Sequence, residues 1–166
     1  RPPPAPTGLA AIRRLDDRVT FQWNRVTDDH TPASLVTYNL RVGTSPGKGN
    51  ILASHAHPLT GKRWLTGAGN AGTLNAHDVY SLPPGIYYWS VQAIDGASLG
   101  STWAPEQTIT LQRPTISFIA DVFTPPALAS QPVPFQVTGG SSPATALRIS
   151  AVADDGLLIP TNGFRV

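Results

Sequence analysis

Apolar and polar residues alternate along several short segments of the chain, and this alternation is its clearest structural signal. Successive side chains of a β-strand point to opposite faces, so a period of two predicts a strand with one buried face. The alternating apolar positions in four segments are Val19, Phe21 and Trp23; Tyr38, Leu40 and Val42; Tyr87, Trp89, Val91 and Ala93; and Ile109 and Leu111. We therefore predict half-buried strands of antiparallel sheets at these four places.

Three further segments carry weaker strand signals. Leu9 and Ala11 predict a first strand, and residues 51–52 and 73–79 predict two additional short ones. No segment shows a capped 3.6-residue period, and the 17 prolines and 15 glycines are spread between short apolar runs. Seven short strands in about 110 residues predict an all-β, immunoglobulin-like antiparallel β-sandwich.

The strand with the most aromatic residues follows directly after a tight turn. The stretch "LPPGIYYWSVQAID", residues 82–95, places Pro84 and Gly85 just before three aromatic residues. We expect Tyr87 to bury its ring and to donate its hydroxyl to a backbone carbonyl of the turn, which is a tyrosine corner. Trp89 is then expected to fill the centre of the sandwich, so these aromatics are interpreted as core and not as ligand-binding groups.

Four segments together resemble a known family. "APTGLAAI", "VTFQWN", "TYNLRVG" and "LPPGIYYWSVQAIDGASLGSTWAPEQTITL" are similar to a fibronectin type III domain, over about residues 5–112. The resemblance is to the variants in large exported bacterial proteins that also carry FG-GAP repeats. In those, a TDD-x-TP loop, a YNLRVGT-P strand and an LPPG-YYWSVQA-D strand recur. The chain departs from the pattern at His30, where an acidic residue is expected, and at Trp64 and His77.

The sequence predicts three parts. "RPPPAP", residues 1–6, favours extended polyproline II and is interpreted as a linker to something that precedes it. Residues 7–112 are the fibronectin type III-like domain. Residues 113–166 are expected to be a second, partial immunoglobulin-like module, because "QRPTISFI" resembles the start of the tandem repeats of bacterial surface proteins. Its expected strands lie around Ile116 and at residues 133–137, 147–152, 157–159 and 164–166.

Five strands are fewer than the roughly seven of a complete immunoglobulin-like module. One explanation is that the parent chain continues beyond Val166. The other is that a strand from a neighbouring copy completes the module, because an open sheet edge invites pairing with another chain. The extended segment Arg1–Leu9 is a possible donor, of which only residues 7–9 could pair well, since the preceding prolines lack N–H groups.

Composition and charge exclude several function classes. Charged residues make up 13% of the chain, and the formal net charge is +2. The longest basic runs are the dipeptides at residues 13–14 and 62–63, too short for a nucleic-acid surface. No apolar run approaches the roughly 20 residues of a membrane span. Because cysteine is absent, disulfides and thiolate chemistry are excluded. We expect no nucleic acid, no membrane insertion and no cofactor.

Nothing in the sequence predicts catalysis. No serine stands in a G-x-S-x-G nucleophile elbow. Adjacent aspartates occur at residues 16–17, 28–29 and 154–155, and neighbours in a strand point to opposite faces and so rarely form a catalytic pair.

Metal binding is the next possibility. His55 and His57 would share a face in a strand, and His77 or Asp78 could supply a third ligand. Calcium could bind at Asp28 and Asp29, or at residues 154–155, but neither place has the spaced acidic pattern of a dedicated loop. The preferred interpretation is exposed histidines and solvated loop aspartates, and no metal is expected.

Carbohydrate binding would need exposed aromatic side chains, and the candidates are Trp64, Tyr88 and Trp103. Trp64 has the least evident core role, and it is expected to cover an open edge of the sandwich. A ligand-binding module should expose Trp64 beside a second aromatic residue, whereas a spacer module should bury it.

These observations predict a non-catalytic structural or adhesive module of a secreted or cell-surface protein. Its expected partners are copies of itself, assembled into filaments by strand complementation, neighbouring domains of the parent chain, or surface glycans. The alternative is an accessory carbohydrate-binding module of a secreted enzyme. A third possibility is a metal-dependent adhesin built on His55 and His57.

Overall fold

The structure, a computed structural model, describes residues 1–14, 18–119 and 134–140. Its elements in these ranges are eight strands: β1 Ala10–Arg13, β2 Arg18–Gln22, β3 Thr37–Gly43, β4 Ala76–Tyr80, β5 Gly85–Ile94, β6 Gln107–Leu111, β7 Thr115–Ile116 and β8 Val137–Thr138. The described part of the chain holds no helix that is long and apolar enough to cross a membrane. Because all eight of these elements are strands, the fold of the described residues is all-β, as the alternation predicts.

Six of these strands form two antiparallel three-stranded sheets. The first sheet has the order β1-β2-β4 and the second the order β3-β5-β6. The two apolar faces pack against each other in a sandwich-like arrangement. The Phe21 and Trp89 rings meet edge to face with centroids 4.9 Å apart, and those of Trp23 and Tyr38 at 5.3 Å. Every apolar position predicted from alternation on β2, β3 and β5 lies in this core.

The predicted seventh strand at residues 51–52 is wrong. This segment makes a single bridge, between Val42 and Leu52. The amides of Ile51 and Leu52 both donate to the same carbonyl oxygen, that of Val42, each at 3.0 Å. Two successive amides on one carbonyl is the pattern of a β-bulge, and here the segment forms no further bridge to a described residue beyond Leu52, so no strand develops.

The prediction of half-buried strands is also wrong for the second sheet, since β3 and β5 are buried on both faces. The polar residues that alternate with the core positions are at most 4% exposed: Asn39, Arg41, Ser90 and Gln92. They lie under two loop segments that cross the outer face of this sheet, residues 44–66 and 95–106. Hydrogen bonds tie them to these loops: Gln92 Nε2 donates to the Ser101 carbonyl at 2.7 Å, and Ser90 Oγ to the Ala104 carbonyl at 2.7 Å.

The tyrosine corner is confirmed. Tyr87 is 3% exposed, and its hydroxyl donates to the Pro83 carbonyl oxygen at 2.7 Å. Burial of the ring raises the pKa of the Tyr87 hydroxyl. This bond closes the turn before β5, so it fixes where the central strand enters the sandwich.

The structure describes all of the predicted linker, residues 1–6, and only residues 113–119 and 134–140 of the predicted second module. In the N-terminal segment, Pro3 and Pro6 are buried. In the predicted second module, β7 pairs with β8 through Thr115–Thr138 and Ile116–Val137. The strands predicted at residues 147–152, 157–159 and 164–166, and the aspartates at 16–17 and 154–155, lie outside the described residues. The two boundaries between the three predicted parts and the completion of the second module stay predictions.

Candidate functional site

The candidate site is a short hairpin, residues 55–64, which lies across the outer face of the second sheet; we call it the outer hairpin. The His57 amide donates to the Lys62 carbonyl at 2.8 Å, and the Trp64 amide donates to the His55 carbonyl at 3.0 Å. Ala56 and Arg63 form the bridge between them. The tight turn ends at Gly61, whose φ of 72° lies in the left-handed region that glycine adopts without strain.

The outer hairpin is anchored to the sheet beneath it. Gln92 Nε2 on β5 donates to the Gly61 carbonyl at 2.6 Å, and Trp103 Nε1 donates to the His57 carbonyl at 3.0 Å. A Cβ on Gly61 would lie 3.0 Å from Gln92 Nε2, so glycine also allows this close approach. Ala56 is fully buried against the sheet. The hairpin therefore presents its outer side chains from a fixed backbone.

Register decides which side chains of the outer hairpin reach solvent. Opposed residues of an antiparallel pair share a face, and the next residues along each arm point the other way. Ala56 and Arg63 therefore face the sheet. The outer face carries His55, His57, Lys62 and Trp64. The shared face predicted for the two histidines is confirmed, although they lie in a hairpin with one bridge and not in a regular strand.

Arg63, on the inner side, holds the loop that follows the hairpin. Its Nε and Nη2 atoms donate to the Leu65 carbonyl at 3.2 and 2.9 Å, and Nη2 also donates to the Gly67 carbonyl at 2.7 Å. Burial lowers the pKa of this guanidinium from its usual value. Because Nε and Nη2 are directed at backbone carbonyls, Arg63 shapes the loop beside the site, and Lys62 supplies the outward positive charge.

Trp64 is 60% exposed, so the expectation that it covers an open edge of the sandwich is wrong. The backbone explains the difference, since the register turns Trp64 away from the sheet. Its indole ring contacts the His57 imidazole, with ring centroids 6.1 Å apart and ring planes at 80°. The exposed indole and the nearly perpendicular imidazole therefore lie side by side on the outer face of the hairpin.

The other two aromatic candidates do not join Trp64. Trp103 is half-buried, with its Nε1 bonded to the His57 carbonyl and the Arg41 guanidinium stacked 5.1 Å from its ring centroid. Trp103 therefore packs over the sheet and supports the hairpin. Tyr88 is half-buried and lies four residues before Gln92 on β5, which is about 13 Å along the strand.

The structure does not bring together the residues that were considered as possible metal ligands. His77 and Asp78 lie on β4 in the first sheet, whereas His55 and His57 lie over the second. No group of three potential ligands from His, Cys, Asp and Glu occurs among the described residues. His57 Nδ1 already accepts the amides of Leu59 at 3.3 Å and Thr60 at 3.2 Å, so its lone pair is committed to the turn.

The two loop aspartates have local roles. Asp28 Oδ2 accepts the amides of His30 at 3.3 Å and Thr31 at 3.0 Å, which closes a turn. Asp29 Oδ1 lies 2.8 Å from His30 Nδ1. The hydrogen bond from His30 lowers the pKa of the Asp29 carboxyl. At the position where the resemblance led us to expect an acid, His30 therefore pairs with the preceding aspartate.

Comparison with known sequences adds no relative. No protein-family model matches this chain. A search of curated proteins likewise returns no match. The fold and the outer hairpin are therefore interpreted from the chain's own residues.

Sequence analysis missed the part of Lys62 in this site, having treated it only as half of a basic dipeptide. The signal was present in the charge pattern, because residues 31–77 contain no Asp or Glu. Which of the nearby cations faces outward depends on the hairpin register, and no alternation strong enough to show it exists in residues 55–64.

Proposed function

We propose that this chain is a non-catalytic structural and adhesive module of an exported modular protein, built on a fibronectin type III-like sandwich. Three observations support the family assignment: the strand orders β1-β2-β4 and β3-β5-β6, the bridge beside β3, and the tyrosine corner before β5. The exported location rests on the resemblance to domains of large secreted bacterial proteins.

The observation that carries the adhesive function is the exposed Trp64 on an anchored backbone. Exposure of an apolar indole to water is unfavourable, so covering it with a bound partner lowers the free energy. Tryptophan is also enriched among the residues that contribute most to binding. The anchors from Gln92 and Trp103 hold the hairpin before any partner arrives. Preorganisation of this kind lowers the entropy lost on binding.

The second candidate is an accessory carbohydrate-binding module of a secreted enzyme. The exposure of Trp64 favours it over a pure spacer, because a spacer gains nothing from an exposed indole. The second aromatic ring beside it is an imidazole, which can also donate a hydrogen bond to a sugar hydroxyl. The two candidates share the outer hairpin and differ in whether copies of the chain also bind each other.

Adhesion can be measured with microspheres that carry the chain through a C-terminal biotin tag. The spheres flow over surfaces coated with the chain itself, with galactomannan, with polygalacturonate or with albumin. We expect retention above the albumin level on the chain or on a polysaccharide. Trp64→Ala should lower retention on polysaccharide. The matched control is Tyr80→Ala, which removes another aromatic residue with 60% exposure, from β4 of the first sheet.

Two outcomes would contradict the proposal. Retention on none of the coated surfaces above albumin would remove the adhesive function. Release of reducing sugar from either polysaccharide, abolished by one His or Asp substitution, would show that the module is catalytic. Spheres that cluster with each other but ignore both polysaccharides would favour the structural form, with copies of the chain as partner.

A further inference from the structure

The chain segment that forms the outer hairpin carries cations and no acidic residue, and Glu106, at the end of the second covering loop, is already paired with Arg41. Residues 31–77, which include the hairpin, contain no Asp or Glu. Lys62 is exposed on the outer face and belongs to none of the ion pairs between described residues. A cation with no intramolecular partner is free to pair with an anionic ligand at no cost in broken salt bridges.

His57 presents a hydrogen-bond donor beside this cation. Because Nδ1 accepts the amides of Leu59 and Thr60, the neutral ring must carry its proton on Nε2. Lys62 lies directly opposite His57 in the hairpin, as the bond from the His57 amide to the Lys62 carbonyl shows.

Trp64 supplies a flat apolar surface next to these donors. Its ring stands at 80° to the His57 ring, so a ligand lying on the indole meets the imidazole from the side. The face of a pyranose that bears axial C–H bonds is apolar and planar enough to stack on an aromatic ring, while its substituents project outward to hydrogen-bonding groups. This combination fits a sugar ring better than a flexible peptide side chain.

We propose that the outer hairpin binds an acidic polysaccharide, with a uronic acid ring stacked on Trp64 and its carboxylate held by Lys62 and His57 Nε2. This inference rests on the proposed adhesive function and names its ligand class. A nucleic acid would need several phosphate contacts along its backbone, and the outer face offers one lysine. An acidic peptide could use Lys62 but would leave the indole without a ring to cover it.

The direct test is calorimetric titration of the whole chain with an oligogalacturonate and with its methyl ester. The ester keeps the sugar rings and linkages but replaces each carboxylate by a neutral methyl ester. We expect the acid to bind and the ester to bind roughly tenfold more weakly or not at all. Binding of the acid should weaken as salt is raised, because the charge pair is solvent-exposed.

Variants then assign the contacts. Trp64→Ala should weaken oligogalacturonate binding about tenfold, as expected for a central aromatic contact. Lys62→Gln should weaken it about threefold. The matched controls are Tyr80→Ala and Lys48→Gln, which remove an equally exposed aromatic residue and another exposed lysine outside the hairpin. We expect both controls to bind like the unmodified chain, and thermal melting should show that all four variants are folded.

Several outcomes would overturn this inference. Equal affinity for acid and ester would show that charge is not recognised, and would leave a neutral glycan as the ligand of the adhesive module. Affinity for polyglutamate or oligothymidylate as high as for the uronate would replace the glycan by an acidic peptide or a nucleic acid. Absence of any uronate binding would also refute it, while microspheres that still adhere would show that the adhesive function itself stands.

Discussion

The two sheets share one apolar core but differ on their outer faces. The outer face of the β1-β2-β4 sheet is partly solvated, and its Arg18–Asp78 pair has side chains that are 34% and 30% exposed. The outer face of β3 and of the C-terminal half of β5 is covered by loops, and the Arg41–Glu106 pair there has side chains that are 5% and 25% exposed. Polar side chains of β3 and β5 are therefore buried between the second sheet and the loops that cover it. The candidate binding hairpin is part of that cover.

The comparison shows that polar alternation does not by itself mean a solvated face. Gln92 is fully buried, although it alternates with core residues as a surface glutamine would. Its amide connects β5 to both covering loops, through the Gly61 and Ser101 carbonyls, and accepts from Asn39 Nδ2 on β3 at 3.0 Å. Buried polar groups of this kind specify which loops lie on the sheet, because each needs its partner.

The largest expected effect breaks the shared core. Trp89→Ala removes a ring that is 1% exposed and should lower the free energy of unfolding by about 3–5 kcal/mol, leaving the sandwich close to unfolded. Trp64→Ala provides the matched tryptophan control, and its effect on stability should stay below about 0.5 kcal/mol. Urea denaturation followed by circular dichroism measures both. A small shift for Trp89→Ala would rule out its place in the core.

The second prediction compares the outer faces through two glutamines. Gln92→Ala leaves the Gly61 and Ser101 carbonyls without their donor and should cost about 3 kcal/mol. Gln22→Ala, on the outer face of β2 where the side chain is half-buried, should cost about 0.5 kcal/mol or less. The same denaturation experiment gives both values. Equal costs would mean that the loop cover does not seal the second sheet.

Gln92→Ala also tests whether the buried glutamine holds the candidate binding site in place. Loss of the bond to Gly61 releases one anchor of the outer hairpin. We therefore expect retention on polysaccharide to fall along with stability, whereas Gln22→Ala should leave it unchanged. Retention that survives in Gln92→Ala while the chain remains folded would show that Trp103 alone holds the hairpin.

The strand positions and core faces could be predicted from the sequence because a period of two is a local property. Val19, Phe21 and Trp23, for example, need no partner to show that they share a face. The cover of the second sheet could not be predicted in this way. Whether Gln92 meets water or the Gly61 carbonyl depends on the path of a distant loop, and no local pattern records that path.

The candidate site was predicted in part. The sequence marks Trp64 as the aromatic candidate with the least evident core role, although it predicts a covering role at the sandwich edge, and the spacing of the histidines predicts their shared face. Its exposure and its pairing with His57 depend on the Ala56–Arg63 register, which a ten-residue hairpin with one bridge does not show in its sequence. His77 and Asp78, the third ligands considered for the histidine pair, lie away from it because β4 belongs to the other sheet.

The third prediction concerns the covered ion pair. Glu106 Oε1 accepts from Arg41 Nη1 at 2.7 Å and from the Gly47 amide at 2.9 Å, under the loop that follows β3. Glu106→Gln keeps the shape but leaves the buried Arg41 charge uncompensated, and should lower the free energy of unfolding by about 2 kcal/mol. Chemical denaturation at neutral pH is the measurement. A cost no greater than that of Asp78→Asn would contradict the difference between the two outer faces.

The smallest expected effect is at the solvated pair of the first sheet. The Thr20 hydroxyl and then the Arg18 guanidinium hold the pKa of the Asp78 carboxyl below its usual 3.8. The folded state therefore binds this proton less readily than the unfolded state does. The stabilisation is fully present above the unfolded pKa and is lost as the pH falls through the folded one. Because the pair is screened by water, its size should stay below about 1 kcal/mol.

Asp78→Asn removes this titrating group and isolates its contribution. At pH 7 the variant should be less stable than the unmodified chain by less than about 1 kcal/mol, and the difference should shrink as the pH falls below 3.8 and through the lowered folded-state pKa of Asp78. Urea denaturation between pH 2 and 7 gives the curve, with Gln22→Ala as a variant whose difference should not change with pH. Because the pair lies on the uncovered sheet, Asp78→Asn should also leave binding at the outer hairpin intact. A stability difference that persists at pH 2, or grows on acidification, would mean that Asp78 does not stabilise the first sheet through its charge.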